Sequence, residues 1–219
     1  MKGIHRTTIG GLELDLRGDK TAFLPLNSTL LVSDLHLGKA SHFRKEGIAI
    51  PKAAEADNLV RLQRAIEACK PKNMLFLGDL FHSNYNETWE LFAAFRQQFA
   101  SIDFKLIVGN HDILPEVHYQ RAGINIIGHA LKMGEVLFTH EPEADRNSTV
   151  YNIAGHVHPK VRLSGKGGQA VTLPCFYFGK SQGLLPAFGT FTGGYKIKPV
   201  KGDQVFGVAD ELVFDLSST

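Results

Sequence analysis

The sequence predicts a mixed α/β fold in which a partly parallel, partly antiparallel β-sheet has helical cover and packs on another sheet. Apolar strand-like runs alternate with helical stretches in the first half, and this βαβαβ order is typical of a parallel sheet. In the second half strand-like segments follow one another between Gly-rich turns, and helical periodicity is hardly visible after Arg121. The chain has 219 residues, 43% of them apolar, and no linker or repeat divides it. We therefore expect a single domain over residues 1–219.

The first half is expected to contain a hairpin, three strands and two helices. The hairpin joins His5–Ile9 to Leu12–Leu16 through a Gly10-Gly11 turn, because polar and apolar residues alternate in its second arm. Short apolar runs predict buried strands at Thr29–Ser33, Asn73–Leu77 and Phe104–Val108. Apolar stripes at helical spacing predict helices at Pro51–Lys70 and Glu87–Phe99.

The second half is expected to contribute strands and turns. The strands are predicted at Glu135–Thr139, Thr149–Ala154, Lys160–Ser164, Ala170–Pro174 and Gln204–Leu216. The run Gly165–Gly168 lacks the spacing of a phosphate-binding P-loop and is interpreted as a hairpin turn. The aromatic residues Phe176, Tyr177, Phe178 and Phe188 are interpreted as a buried cluster, with stacking on nucleic-acid bases as the alternative.

The composition excludes several classes of protein. The longest unbroken apolar run is the five residues Leu91–Phe95, far short of the ~18 that span a bilayer. The beginning of the chain has no apolar segment typical of a signal peptide. Cys69 and Cys175 are too few for a disulfide framework, and Cys69 lies on a predicted apolar helix stripe. We expect a cytoplasmic protein without a membrane span.

The formal net charge of +2 conceals an uneven distribution. No Asp or Glu occurs between Arg146 and Asp203, where seven cations are found, so the remaining chain has 17 basic and 22 acidic residues. A positive segment of this kind is either a set of solvated strand faces or an electrostatic footprint for a polyanion. Charge alone favours the solvated faces.

Five short polar clusters follow directly on predicted strands. They are Ser33–His36, Gly78-Asp79, Gly109–Asp112, Thr139-His140 and Gly155–His158. Because the carboxyl ends of strands in an open α/β sheet converge on one edge, we expect these side chains to face a common point.

The side chains in these clusters are of metal-ligand types. Two carboxylates, one amide and four imidazoles can serve two divalent ions without a thiolate: Asp34, Asp79, Asn110, His36, His140, His156 and His158. Mixed nitrogen and oxygen ligands favour Mn, with Fe, Zn and Mg as alternatives. Asp79 is the best candidate for a bridging carboxylate, because motifs on both sides of it can complete each site. Two ions ~3.5–4 Å apart can hold a hydroxide and clamp a phosphate for in-line hydrolysis.

The ordered motifs D-x-H, GD, GNHD, H and GHxH resemble those of the calcineurin-like metallophosphoesterases over nearly the whole chain. The resemblance implies a double β-sandwich of mixed sheets flanked by helices. Residues 34–39, 78–83, 155–159 and 185–189 are similar to the bacterial DNA-ligase-associated metallophosphoesterases. That subgroup implies a link with a DNA ligase, a helicase and the DNA damage response.

The resemblance also implies roles for individual residues. The first metal site would comprise Asp34, His36, Asp79 and His158, and the second Asp79, Asn110, His140 and His156. His111 corresponds to a histidine that is not a ligand but stabilises the transition state or protonates the leaving oxygen.

Three further residues are candidates for substrate contact or for support of the ligands. Asp112 is interpreted as orienting a neighbour of the metal site. His82 either touches substrate or a ligand, or makes a capping or loop hydrogen bond. Arg44 either grips a phosphate or is a cation on a helix surface.

The motif series favours a dinuclear-metal phosphodiesterase, and the subgroup resemblance implies that it acts on DNA in repair, together with a ligase and helicase. A small-molecule phosphatase or nucleotide(-sugar) pyrophosphatase with the same metal core is the alternative, because substrate choice lies in loops. A non-catalytic metal-binding repair partner is the third possibility, and the full ligand set together with His111 speaks against it. The oligomeric state stays open.

Overall fold

Two mixed β-sheets lie face to face at the centre of the molecule, and α-helices cover the outer face of one of them. The computed structural model describes residues 3–39, 53–143, 150–165, 167–190 and 192–217. The layers therefore run helix, sheet, sheet, which agrees with the architecture predicted from the sequence.

The first sheet has seven strands in chain order. They are β1 (Ile4–Ile9), β2 (Leu12–Arg17), β3 (Ala22–Leu24), β4 (Thr29–Val32), β5 (Asn73–Leu77), β6 (Asp103–Ile107) and β7 (Ile124–Gly128). Strands β1 to β4 pair antiparallel, and β4 to β7 pair parallel. The parallel half is the predicted βαβαβ unit, with one more parallel strand at its edge.

The described helices connect the parallel strands and pack on the outer face of this sheet. They are α1 (Ala53–Cys69), α2 (Glu87–Gln97) and α3 (Glu116–Arg121). The side chain of Asn86 caps α2 by accepting a hydrogen bond from the Thr88 N–H at 2.9 Å. None of these helices is long and apolar enough to cross a bilayer.

The second sheet has nine strands. They are β8 (Ala130–Met133), β9 (Val136–Thr139), β10 (Tyr151–Ala154), β11 (Pro159–Ser164), β12 (Ala170–Phe178), β13 (Gln182–Leu184), β14 (Tyr195–Lys196), β15 (Gln204–Ala209) and β16 (Leu212–Asp215). Their order is β14-β11-β12-β13-β10-β9-β8, with β15 paired to β12 and β16 to β15. Strands β9, β10 and β13 are parallel, so two of the strand ends that carry chemistry point to the same edge.

The apolar strands of the first sheet are buried on both faces, as their unbroken apolar runs predict. In β4, Leu30 and Val32 pack against the helices, whereas Leu31 packs between the sheets. Phe138 and Phe176 come from the second sheet to fill the same inter-sheet layer. One hydrophobic layer thus lies between the helices and the first sheet, and a second lies between the two sheets.

Several predicted boundaries need correction. Strand β12 continues past Pro174 to Phe178, because its second half pairs with β13 and β15. The predicted strand Gln204–Leu216 is the hairpin β15–β16, since Asp210 and Glu211 adopt positive φ and form its turn. The segments β3, β7, β8, β13, β14 and α3 are additional elements, and all of them are short.

The aromatic residues predicted to form one buried cluster are divided among separate cores. Phe176 and Phe178 lie between the sheets, Phe188 lies on the helix side, and Tyr177 is only partly buried. Phe176, Phe178 and Phe188 are buried, and the Tyr177 hydroxyl donates a hydrogen bond to Asp203 at 2.9 Å. Cys69 packs against the helix-side core, and it and Cys175 are free thiols.

Candidate metal centre

The five polar clusters meet at one edge of the two packed sheets. Each lies at the carboxyl end of a strand: β4, β5 and β6 in the first sheet, and β9 and β10 in the second. Because β4–β6 are parallel and β9–β10 are parallel, their ends open in common directions. The structure brings together all seven residues that the sequence predicts as ligands.

The first group contains Asp34, His36 and His158. His158 Nε2 lies 3.1 Å from Asp34 Oδ1 and 3.4 Å from His36 Nε2. Three potential ligand atoms therefore converge on one small volume.

The second group contains Asp79, His140 and His156, with Asn110 beside them. His140 Nε2 lies 3.0 Å from Asn110 Oδ1, 3.2 Å from His156 Nδ1 and 3.4 Å from Asp79 Oδ1. This group presents two imidazoles, one amide oxygen and one carboxylate oxygen.

Asp79 lies between the two groups. Its Oδ1 faces His140 at 3.4 Å, while its Oδ2 faces His36 Nε2 at 3.6 Å. A carboxylate that offers one oxygen to each group has the geometry of a bridging ligand.

The donor atoms fit two divalent ions. Ligands held ~2.0–2.2 Å from one ion lie roughly 2.8–3.6 Å apart at neighbouring corners of an octahedron or tetrahedron. The separations of 3.0–3.6 Å in both groups match these edges. Burial lowers the pKa of His36 to about 2, with smaller contributions from the charge of Lys39 and from the neighbouring histidines. Its imidazole is therefore neutral, which is the form that binds a metal.

Five of the seven side chains project from a strained backbone. Asp34, His36, Asp79, His156 and His158 have φ between 48° and 61°. This left-handed conformation is uncommon outside glycine and costs energy that the surrounding fold must supply. Nothing in the spacing of the motifs indicated it, although a cluster of Asp and His in such conformations is typical of functional sites.

Glycine permits the close approach of the loops. A Cβ on Gly155 would overlap the Ser33 hydroxyl and the Asp34 carboxylate, and one on Gly78 would overlap the His140 ring. The glycines in the GD and GHxH motifs therefore make room for ligands contributed by other strands.

Hydrogen bonds from the protein orient the ligands. His140 Nδ1 donates to the Leu77 carbonyl at 2.9 Å, which leaves Nε2 free to face the centre. The Asp34 carboxylate accepts the His156 N–H at 3.0 Å and the Ser33 hydroxyl. Ser33 is a supporting residue that the motif analysis did not single out.

His111 and His82 lie together at the edge of the first group. Their ring centroids are 3.8 Å apart, and the His111 N–H donates to Asp79 Oδ1 at 2.9 Å. His82 Nδ1 lies 3.2 Å from His36 Nδ1. Of the two interpretations of His82, this contact favours support of a ligand. Burial lowers the pKa of His111, and the Asp79 charge opposes that shift.

Asp112 joins two of the loops. Its carboxylate accepts the Phe81 N–H at 3.1 Å and the Gly109 N–H at 2.9 Å. Burial raises the pKa of Asp112 to about 6, against the effect of these hydrogen bonds. The predicted supporting role thus acts on backbone, fixing the loops that carry Asp79 and Asn110.

Arg44 lies outside the described residues, so its predicted role stays a prediction. Of the histidines outside the motifs, His118 packs against Tyr85 and His5 against Phe206, away from the centre. His129 instead lines a cleft beside Asn110 and His140.

Two clefts of opposite charge flank the centre. One, of 470 Å³, is lined by Asn110 and His140 together with Glu141 and Glu143. The other, of 240 Å³, is reached at His158 and is lined by Lys20 and Lys160. Asn110 and His156 are the exposed members of the centre, so it is open to solvent between the clefts.

The double-sheet sandwich thus carries two adjoining carboxylate–imidazole groups, each of which could hold a divalent ion. The family model for calcineurin-like phosphoesterases matches residues 28–185, and the chain belongs to this family. The protein is a metal-dependent phosphoesterase, of a family that uses two divalent ions.

Solved structures show how far the similarity extends. The nuclease MPE of Pseudomonas putida is 27% identical, with 97% of this chain and 100% of that chain covered and a TM-score of 0.80. Two other structures are less similar. The Aquifex aeolicus protein AQ665, of unknown function, is 18% identical, with 59% and 78% of the chains covered and a TM-score of 0.43. The E. coli phosphoesterase Yfce is 13% identical, with 83% and 88% covered and a TM-score of 0.42. No curated protein sequence gives a significant match.

Proposed function

We propose that this phosphoesterase is a DNA nuclease that hydrolyses phosphodiester bonds with two divalent ions. The observation that carries the proposal is the full-length similarity to the nuclease MPE, in both sequence and fold. The positive cleft beside His158 supports a polyanionic substrate independently of that similarity.

In this proposal Asp34, His36, Asp79 and His158 hold one ion, and Asp79, Asn110, His140 and His156 hold the other. The opposed oxygens of Asp79, and the separations among the other donor atoms, support this division. Two divalent ions, when bound, supply positive charge for the phosphate oxygens and activate water for in-line attack. Mn is favoured by the mixed nitrogen and oxygen donors.

His111 is proposed to act on the leaving oxygen. Its backbone N–H is anchored on Asp79, so the ring is held close to the centre without being one of its donors. Contact with His82 limits the positions that the ring can adopt. A leaving alkoxide needs a proton, and an imidazole held there can donate it.

The proposal includes the pathway and the cellular compartment in which the enzyme acts. The motifs shared with DNA-ligase-associated metallophosphoesterases support a role in DNA repair beside a ligase and a helicase. The two free thiols fit a reducing cytoplasm. We also propose that residues 1–219 form a single domain.

A substrate panel with added Mn tests the function. It should compare single-stranded DNA, duplex DNA, an aryl phosphodiester, an aryl phosphomonoester and a nucleotide pyrophosphate at one metal concentration. We expect cleavage of DNA and of the aryl diester. Hydrolysis of the pyrophosphate without cleavage of DNA would instead support the small-molecule alternative.

A further inference from the structure

The cleft beside His158 has the composition of an anion site. We define the lysine cleft by Lys20, His158, Lys160, Thr190 and Thr192, and it encloses 240 Å³. No carboxylate is among its described lining residues, whereas the cleft on the Asn110 side carries Glu141 and Glu143. A polyanion that reaches the metal centre is therefore repelled from one side and attracted to the other.

Lys20 is a cation held in a costly position. It lies in the left-handed region at φ 73°, and its Nζ donates to the Ala187 carbonyl at 2.8 Å. Burial lowers its pKa to about 7, and the nearby cations Arg61 and Lys160 add to the effect. A carbonyl oxygen does not neutralise an ammonium group, so an anion in the cleft would balance the positive charge of Lys20.

The segment that holds Lys20 is fixed from its other side. The Gly189 N–H donates to the Asp34 carbonyl at 3.0 Å, and the Phe188 N–H donates to the Ser33 carbonyl at 2.8 Å. Arg61 donates to the Phe188 carbonyl at 3.0 Å and lies over the Phe188 ring. The floor of the lysine cleft is thus tied to the loop that carries Asp34.

Thr190 offers a second polar group to the cleft. Its Oγ1 is buried and has no hydrogen-bond partner among the described residues. A buried hydroxyl without a partner costs free energy, and a phosphate oxygen could accept its proton.

The positive charge continues from the cleft along β11. Lys160, the second residue of β11, follows His158 by two residues and lines the same cleft. Its side chain lies against the backbone of Gly194, and Lys196 is its register partner on β14. Arg162 shares the face of Lys160, because side chains two residues apart point the same way.

We propose that the lysine cleft binds the backbone phosphate next to the scissile one, and that a DNA strand leaves the centre along β11 over Lys160, Lys196 and Arg162. This inference rests on the proposed DNA nuclease function. It assigns part of the acid-free segment to substrate binding, where charge alone favoured solvated strand faces.

Binding in the absence of cleavage tests the proposal. Fluorescence anisotropy of a labelled single-stranded oligonucleotide, in chelator and over a range of salt concentrations, would compare the unsubstituted protein with Lys160→Ala and Lys20→Met. Each variant should bind about tenfold more weakly. The slope of log affinity against log salt should fall by about 0.7 per lysine removed. Thr190→Val should weaken binding less, because it removes no charge.

Lys132→Ala is the matched control. Lys132 is an exposed lysine on β8, at the opposite edge of the second sheet, and its loss should leave affinity and salt slope unchanged. Lys132→Ala should also leave hydrolysis of an aryl diester unchanged.

The outcomes separate this proposal from the proposed function. If the unsubstituted protein binds the oligonucleotide through the two lysines yet does not cut it with Mn, DNA binding in the cleft is supported and the nuclease function is contradicted. If it cuts DNA while Lys160→Ala and Lys20→Met bind DNA normally, the nuclease function is supported and DNA binding in the cleft is contradicted. Absence of binding by the unsubstituted protein, or an equal loss of affinity in Lys132→Ala, would also overturn the proposed site in the cleft.

Discussion

Individual residues at the metal centre are held in conformations that they would not adopt alone. Five proposed ligands have left-handed backbone, at a cost of order 1–3 kcal/mol each. Hydrogen bonds such as that from His140 Nδ1 to the Leu77 carbonyl then fix the side chains. The backbone and the hydrogen bonds of the protein therefore hold the donor atoms close together.

Replacing His111 by alanine should lower turnover without emptying the metal sites. We expect a loss of roughly 10²–10⁴-fold in kcat, since a positioned proton donor contributes about that much. The loss should be larger for a substrate with a poor alkyl leaving group than for a nitrophenyl ester, whose leaving oxygen needs no proton. Turnover of both esters and metal content by elemental analysis are the measurements.

His118→Ala is the control, because His118 stacks on Tyr85 outside the centre. Loss of metal from His111→Ala would reassign His111 as a ligand. Equal losses for the two leaving groups would contradict proton donation.

Replacing Lys20 by methionine should stabilise the protein while weakening DNA binding. The folded-state pKa of Lys20, about 7, lies below its unfolded value near 10.4, so the folded protein binds this proton more weakly. The charge of Lys20 therefore costs no stability above pH ~10.4. The cost in the free energy of unfolding grows as the pH falls from there and is complete at about pH 7. The gain in Tm of Lys20→Met should therefore be largest near and below pH 7, and shrink toward pH 10. Thermal melts across that range measure it, and a pH-independent difference in Tm would contradict this account.

The sequence predicts the proposed ligands better than it predicts their environment. Asp34, His36 and Asp79 stand in recognisable motifs, because ligand chemistry restricts residue type and spacing. The proximity of Lys20 to Lys160 could not be predicted. Lys20 lies between β2 and β3 of the first sheet, whereas Lys160 lies on β11 of the second. A contact between distant segments leaves no local pattern.

At the scale of elements, the centre depends on loops from different strands passing close to one another. Gly155→Ala should disturb this arrangement, because the new methyl group would overlap the Ser33 hydroxyl and the Asp34 carboxylate. We expect a loss of about 1–3 kcal/mol in the free energy of unfolding, together with weaker metal binding. Denaturant titration and metal titration check the two effects.

Gly167→Ala is the matched substitution, since an added Cβ there meets nothing within 4 Å. Its stability and metal affinity should equal those of the unsubstituted protein. If Gly155→Ala behaved in the same way, the close approach of the loops would not matter to the centre.

Long elements could be predicted from the sequence, whereas short ones could not. Helix α1 and strand β5 have enough apolar residues at a regular period to be recognised. Strands β13 and β14 have three and two residues and exist because β10, β11 and β12 are there to pair with them. The break between β15 and β16 was missed because Asp210 and Glu211 interrupt an otherwise strand-like run only through their backbone conformation.

At the scale of the whole molecule, both sheets contribute proposed ligands, so metal binding should be linked to global stability. An ion that binds only the folded state stabilises it according to its free concentration and affinity. Addition of Mn to stripped protein should raise the Tm, and Asp79→Ala should remove most of that increase because Asp79 faces both groups. An unchanged Tm on addition of Mn to the unsubstituted protein would show that the centre does not bind this ion.

The most direct test of the central claim is hydrolysis of an aryl phosphodiester by protein from which metal has been removed by a chelator and then restored. We predict that the stripped protein is inactive, that activity returns as two equivalents of Mn are bound, and that Asp79→Ala recovers none of it. Turnover that persists unchanged after the ions have been removed would contradict a mechanism based on two metal ions.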